Sequence, residues 1–282
     1  MKKTILISGI KGFLASNLLN LLKEKYTLYG IGKQEENWNG ITVFSSEKIN
    51  QIDIVPDYLI LCHASISSGQ DNASIDALFH VNVEITKQLV EKFTSSAIIY
   101  ISSASIYDVN STIITEEAPV QPQSDYAISK LWAEKIVLKT NQSVVIRLSS
   151  VYGIGMKENT IIPNYINQAL NNGEIQVWGN GERLQNYIHV DDVALCIALT
   201  IENFETVIGK ILLAVNTTEY SNVYLAEIIA DATNARVVFV NEDHSKSLRY
   251  DNNETRKLLN WSSKTNFSEA IYTYIKWKKE QF

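Results

Sequence analysis

The sequence predicts an α/β chain: a doubly wound parallel sheet with a smaller lobe formed by the C-terminal part. Three observations carry this. Four short apolar runs in the first half barely alternate with polar residues, as strands buried on both faces do. Segments of helical period separate them, which is the pattern of repeated strand–helix–strand units. After about residue 153 that rhythm breaks, and longer helical patterns are joined by brief strands.

The runs are Thr4–Ser8 (TILIS), Tyr58–Cys62 (YLILC), Ala97–Ile101 (AIIYI) and Val144–Leu148 (VVIRL), with weaker ones at 26–31 and 41–44. Leu14, Leu18, Leu21 and Leu22 mark one helix face after Gly12, and Leu78, Val81, Ile85 and Leu89 mark another. In the second half the helical patterns cover 161–171, 191–203, 222–232 and 267–280. Short strands at 175–178, 211–215 and 236–240 separate them. Residues 1–153 and 187–215 are therefore expected to form the sheet domain, and 154–186 and 216–282 the lobe.

Composition narrows the function classes. The 282 residues are 45 % hydrophobic and 20 % charged, with a formal net charge of -6. No basic tract offsets that charge, which argues against a nucleic acid or an anionic membrane as partner. Five apolar residues before Gly9 are too few for a leader, and no stretch approaches the length of a membrane span. Two cysteines, Cys62 and Cys196, give no disulfide framework. A soluble, reduced, cytoplasmic protein is expected.

Chemistry enters at the first strand–helix junction, Gly9-Ile-Lys-Gly12-Phe-Leu-Ala15. A dinucleotide pyrophosphate needs a tight turn, bare backbone and a helix N terminus aimed at it. Gly9 and Gly12 supply the first two, and Ala15 is small enough for close helix packing. Lys11, Phe13 and Leu14 share the turn. The second strand ends Gly30 to Gln34 without the carboxylate that usually holds an NAD ribose. Lys33 could neutralise a 2′-phosphate there, so the coenzyme is NAD or NADP, leaning to NADP.

A second group follows the run at 97–101. Ser102, Ser103 and Ser105 stand at a strand's C-terminal end, and Tyr126 and Lys130 lie one helical turn apart in YAISK. An ammonium can lower a phenol's pKa, the tyrosine can exchange a proton with a carbinol, and a serine can hold the substrate oxygen. The dinucleotide would carry the hydride.

His63 and His189 each sit beside an apolar strand without a second ligand at metal spacing. They read as structural, and no metal site is predicted. Asp191 and Asp192 suit the opening of a helix. Glu116 and Glu117 read as solvated loop charge, and the C terminus as an amphipathic helix with Tyr272, Ile275 and Trp277 partly buried.

The motifs together resemble the extended short-chain dehydrogenase/reductase family of nucleotide-sugar epimerases, dehydratases and 4-ketoreductases. They are GIKGFLA, DYLILCHAS (57–65), HVNVEITKQLV (80–90), ISSASIYD (101–108), YAISK (126–130), VIRLSSVYGIG (145–155), GNGERLQNYIHVDDVA (179–194) and DNNETRKLLNW (251–261). The resemblance implies a Rossmann-type fold, with Ser103, Tyr126 and Lys130 as catalytic residues. It also implies cofactor contacts from the Gly9–Leu14 turn, Ala64, Ser65, Tyr126 and Lys130, a structural role for Asn82, and dimerisation through a pair of helices. Two departures concern the substrate: Ser150 replaces a frequent asparagine, and Gln185 replaces a phosphate-binding arginine. Ser105, Ser150, Arg183, Gln185 and Arg249 are the candidate substrate contacts, with surface salt bridging as the alternative for both arginines. Ala104 and Ser105 stand where a 4,6-dehydratase carries an acid pair. The expected activity is therefore a 4-epimerase or 4-ketoreductase acting on a nucleotide sugar. A non-catalytic dinucleotide-binding sensor or scaffold is the other class, disfavoured because Tyr126 and Lys130 are both present.

Overall fold

The computed structural model describes residues 2–66 and 73–281. Its strands, in chain order, are β1 (Thr4–Ser8), β2 (Thr27–Gly32), β3 (Glu36–Trp38), β4 (Ile41–Ser45), β5 (Tyr58–Leu61), β6 (Ala97–Ser103) and β7 (Ser143–Leu148), followed by β8 (Ser150–Tyr152), β9 (Glu174–Trp178), β10 (Leu184–Gln185), β11 (Tyr187–His189), β12 (Ile211–Ala214), β13 (Tyr220–Ser221) and β14 (Arg236–Val240). The helices are α1 (Phe13–Leu22), α2 (Ile75–Leu78), α3 (Ile85–Lys92), α4 (Asp125–Val137), α5 (Ile161–Asn172), α6 (Val190–Glu202), α7 (Phe204–Val207), α8 (Asn222–Thr233), α9 (Asn253–Leu259) and α10 (Phe267–Lys279). A π-helical turn, Phe79–Glu84, joins α2 to α3.

Eight strands form one sheet in the order β12-β7-β6-β5-β1-β2-β4-β3. Every pairing in it is parallel except β3 with β4, a hairpin turned by Asn39 and Gly40 at φ 51° and 80°. Left-handed residues at both turn positions are what a tight hairpin demands. From β1 the chain first builds outward through β2 and β4, then crosses over to build β5, β6, β7 and β12 on the other side. The order reverses between β1 and β5, where sheets of this kind hold ligands beyond the strands' carboxyl ends.

Burial on both faces explains why the strands read as continuous apolar runs. Ile5 and Ile7 of β1 face Leu18 and Leu22 of α1 and Val193 and Ile197 of α6. Leu6 points the other way, toward Leu89 of α3 and Ala133 and Val137 of α4. The α1 face differs from the one expected: Leu21 is 40 % exposed, whereas Ala15, Leu18, Leu19 and Leu22 are buried. Those four repeat at three and four residues and meet α6 squarely; Leu21 falls a third of a turn off that stripe.

A separate core holds the lobe, with Tyr165 and Ile166 of α5, Leu225 and Ile229 of α8, and Ile271 and Tyr274 of α10. Three two-stranded pairs brace it: β8 with β11, β10 with β13, and β9 with β14. Leu259 and Trp261, late in the chain, instead pack in the core beneath the main sheet. In α10, Ile275 is buried but Tyr272 is 44 % exposed, contrary to the partial burial read for it. Among the described residues, no helix is long and apolar enough to cross a membrane.

Candidate active site

At the switch point the glycine turn is built as its residues require. Gly9 bonds back to Ile31 O (2.9 Å) and Gly12 N to Gly9 O (2.8 Å). Gly9 has φ +68°, and a Cβ there would lie 2.8 Å from His63 Cα and 2.9 Å from His63 N. Only glycine fits that approach of β1 to the end of β5. Gly12 caps α1 without any side-chain hydrogen bond, and the first turn of α1 carries no acid. An open, uncapped helix N terminus beside bare backbone fits a dinucleotide's pyrophosphate.

Around this turn, Phe13 and Leu14 are half-buried, while Lys11 and Lys33 are exposed. Lys11 Nζ pairs with Glu36 Oε1 of β3 at 3.0 Å. Glu36 lies in β3 opposite Val43 of β4, and the hairpin brings its carboxylate to Lys11. Ala64 and Ser65 follow β5. Asn82 grips Ser65 twice, accepting from its N–H (2.8 Å) and donating to its carbonyl (3.0 Å), and it also donates to Ser129 Oγ of α4 (2.9 Å).

The proton-transfer candidates converge from β6 and α4. Ser124 caps α4 by accepting from Ala127 N. This fixes a helix on which Tyr126, half-buried, and Lys130, buried, share one face. Lys130 Nζ donates to Ile101 O (2.6 Å) and stands 4.2 Å from the Tyr100 ring centroid. Ser103 Oγ and Ser105 Oγ are 2.9 Å apart.

The electrostatics differ from the simple expectation that Lys130 depresses the Tyr126 phenol. Burial pushes Tyr126 up to about 12, opposed by a hydrogen bond with Ser103. Burial pushes Lys130 down to about 7, opposed by the nearby Glu134 and then Cys62. The titration closest to neutrality is therefore that of the lysine.

A cavity of about 350 Å³ opens over these groups, lined by Ser103, Ser105, Tyr126, Ser149, Ser150, Arg183, Gln185, Asn186, Lys246 and Tyr250 among others. Its walls mix hydroxyls and amides with Leu148, Leu184 and Leu248. Ser149 Oγ donates to Asn186 Oδ1 (2.7 Å), and Gln185 Nε2 donates to Asn222 Oδ1 (2.7 Å). Among the described residues Arg183 Nε is buried without a partner, and its Nη1 is 4.0 Å from Asp243. Arg249 is exposed and lies outside this lining, although Leu248 and Tyr250 on either side of it belong to it. Extended chain alternates its side chains, so the middle residue turns away. Lys246, which sequence reasoning passed over, is in the lining and donates to Asn110 Oδ1. A lysine in a polar loop carries no pattern that could have marked it.

Residues read as bland have definite places. His63 is 2.5 Å from Ser8 Oγ and 3.1 Å from Thr86 Oγ1, a half-buried histidine with both ring nitrogens engaged. His189 caps α6 by accepting from Asp191 N. Asp192 is buried and accepts from the backbone of Lys264 and Thr265. Glu116 is not solvated as expected: it is buried and accepts from both Thr255 N (2.8 Å) and Thr255 Oγ1 (2.7 Å), because α9 folds over its loop. Among the described residues, no three His, Cys, Asp or Glu side chains gather as a metal site would require.

A doubly wound sheet with an open glycine turn and a Ser–Tyr–Lys set defines the class: a dinucleotide-dependent enzyme fold of the extended short-chain type. Residues 5–214 match the NAD dependent epimerase/dehydratase family, and the chain belongs to it. Human dTDP-D-glucose 4,6-dehydratase is 26 % identical over 99 % of this chain and 91 % of its own length. The trifunctional UDP-glucose 4,6-dehydratase/UDP-4-keto-6-deoxy-D-glucose 3,5-epimerase/UDP-4-keto-L-rhamnose-reductase of Arabidopsis thaliana is 24 % identical over 99 % of the chain, which spans only 47 % of that protein. UDP-glucuronic acid 4-epimerase from Bacillus cereus, solved with NAD, superposes with a TM-score of 0.83 at 21 % identity, covering 98 % of this chain and 99 % of that one. The likeness to that solved structure is one of fold.

Proposed function

We propose that this chain is an NAD(P)-dependent oxidoreductase of the nucleotide-sugar epimerase or 4-ketoreductase type, with Tyr126 exchanging a proton at a sugar carbinol or ketone, C4 being the expected carbon. The observation that carries the reading is the convergence of Ser103 and Tyr126 in the lining of one cavity, with Lys130 buried one helical turn along from Tyr126. The dinucleotide, when bound, supplies the hydride acceptor or donor. The chain's own residues do the rest. Gly9, Gly12 and the N terminus of α1 take the pyrophosphate, and Ser103 holds the substrate oxygen. Tyr126 gives or takes the proton, and Lys130 supplies the positive charge that favours a tyrosinate. Ser105, Ser150 and Gln185 offer neutral hydrogen bonds to a sugar, and Arg183 carries an unpartnered Nε suited to its phosphates. Arg249 would join only by turning its exposed side chain inward.

Ala104 and Ser105 follow Ser103 where a dehydratase would need acid and base groups, which favours simple hydride exchange. A 4-epimerase would retain its coenzyme through purification, whereas a 4-ketoreductase would consume NADPH one for one with product. Absorbance of the purified protein and turnover of keto-sugar nucleotides separate the two. The decisive variant is Tyr126→Phe: turnover is expected to vanish while coenzyme binding persists, and unchanged turnover would refute the assignment. The coenzyme turns on which of Lys33 and Glu36 faces the adenosine ribose. Lys33→Glu is expected to weaken NADP selectively, and Glu36→Gln to weaken NAD selectively.

A homodimer is part of the proposal. Ile75, Phe79, Ile128 and Trp132 are exposed apolar side chains on α2, the π turn and α4, with the Phe79 and Trp132 rings 5.3 Å apart. Trp132→Glu should convert a dimer to monomer in sedimentation. Two free cysteines, one of them buried, suit a reducing cytoplasm.

A further inference from the structure

Behind the proton-transfer set lies a charge cluster that substrate does not reach. Glu134 follows Lys130 by one turn of α4, and both are fully buried, at 1 % and 2 % exposure. From β7, Arg147 closes on the same carboxylate with two hydrogen bonds, Nε to Oε1 at 3.0 Å and Nη2 to Oε2 at 2.8 Å, and is itself 3 % exposed. Each cation also stands on an aromatic face: Lys130 over Tyr100 (4.2 Å) and Arg147 over Tyr107 (4.6 Å). Cation–π contact holds a charge in place without neutralising it.

The groups that could alter this balance are few. Cys62 and His63 face Lys130 from the end of β5 and Tyr100 from β6; Tyr107 and Arg147 face Glu134, and the buried Glu116 faces Tyr107 from the far side. Burial pushes the Cys62 thiol up to about 12 and His63 down to about 3, so both are neutral at pH 7. Burial likewise raises Tyr100 and Tyr107. The charge acting on Lys130 therefore comes from one carboxylate, Glu134, that Arg147 shares. An isolated buried ammonium loses its proton, but one beside a carboxylate keeps it. A carboxylate already shared with an arginine does so only partly.

We infer that Glu134 and Arg147 are positioning residues that set the charge on Lys130: Glu134 holds the ammonium protonated, and Arg147 limits how strongly it does so. This deepens the proposed function and rests on its assignment of Tyr126 and Lys130. A pair serving only to tie α4 to β7 would leave the protonation of Lys130 untouched. A pair that sets it must move that protonation in opposite directions when its members are removed singly.

The test reads Lys130 directly, by NMR of protein labelled with ¹³C-lysine, without coenzyme or substrate, the signal being assigned by its loss in Lys130→Arg. Glu134→Gln is expected to lower the titration midpoint by about one pH unit and Arg147→Gln to raise it, in keeping with the effect of one charge at close range. Turnover, which needs charged Lys130, should fall off at correspondingly lower pH in Glu134→Gln, about tenfold at a fixed pH on that limb. Glu134→Asp should restore most of it. Either single variant strands a buried charge, so the double variant Glu134→Gln/Arg147→Met guards against failure to fold; its midpoint should still lie below that of the wild type. A double variant with an unmoved midpoint, or single variants that shift the same way, would overturn the inference. Turnover retained in Tyr126→Phe would instead remove the underlying reading, while the Lys130 titration would still judge the charge relation.

Discussion

Gly9→Ala isolates the physical demand of the phosphate-binding turn. Two costs arise at once. At φ +68° an alanine pays for a left-handed backbone, about 1–2 kcal/mol. Its Cβ would also meet His63 Cα at 2.8 Å and His63 N at 2.9 Å, atoms of a strand end that cannot rotate aside. Overpacking against a fixed wall adds about 1–3 kcal/mol. The sum is about 2–5 kcal/mol. Gly209→Ala is the control: its φ is +73°, yet no atom lies within 4 Å of an added Cβ, so only the backbone cost applies. Urea unfolding followed by circular dichroism should find Gly9→Ala less stable than Gly209→Ala by about 1–3 kcal/mol, the overpacking share alone. Coenzyme titration should weaken at least about tenfold in the first and not in the second, because separating β1 from β5 moves the N terminus of α1. Equal destabilisation in the two variants would refute the close-approach argument and leave Gly9 as an ordinary turn residue.

Lys130→Met should abolish turnover yet stabilise the fold by about 1–3 kcal/mol near pH 6, measured by urea unfolding, since a buried ammonium pushed down to about 7 burdens the native state. Because its folded pKa lies below the unfolded one, the burden is full below pH 7 and fades toward 10.5, so the gain should fade with it. His63, held at about 3 from an ordinary 6.5, keeps its stabilising neutral form above pH 6.5 and loses that contribution as pH falls toward 3. Unfolding free energy should therefore drop in that window by up to about 1.4 kcal/mol per pH unit, and His63→Asn should flatten the slope. Glu116→Ala removes the acceptor for Thr255 N and Oγ1 and should cost about 2–3 kcal/mol, read as a lower melting temperature.

The sheet was legible because its strands are buried on both faces, so Thr4–Ser8 and Val144–Leu148 had to be nearly unbroken apolar runs. Strand β3 was not, since Glu36 to Trp38 form a polar edge; the Asn39-Gly40 pair was the one available signal. Strands of two or three residues, such as β10 and β13, are too short to hold a period. The error at Leu21 has a similar root: spacing shows that a helix has an apolar face but not which edge of it meets α6. In the site, Tyr126 and Lys130 were readable because one helix carries both. Glu134 and Arg147 were not singled out in the sequence, because their pairing depends on where α4 crosses β7. The side-chain hydrogen-bond partners of Glu116 and Lys246 lie 139 and 136 residues away, and no local pattern encodes that.

Asn82 sits in the π-helical turn, and its amide bonds the loop after β5 and, through Ser129, the helix bearing Tyr126. Ser129 Oγ in turn donates to Tyr126 O at 2.7 Å. One planar group thus fastens the segment expected to touch the coenzyme to the segment expected to touch the substrate. These two walls of the cleft are thereby joined to each other, whereas Arg183, Gln185 and Lys246 line it from separate segments of the chain.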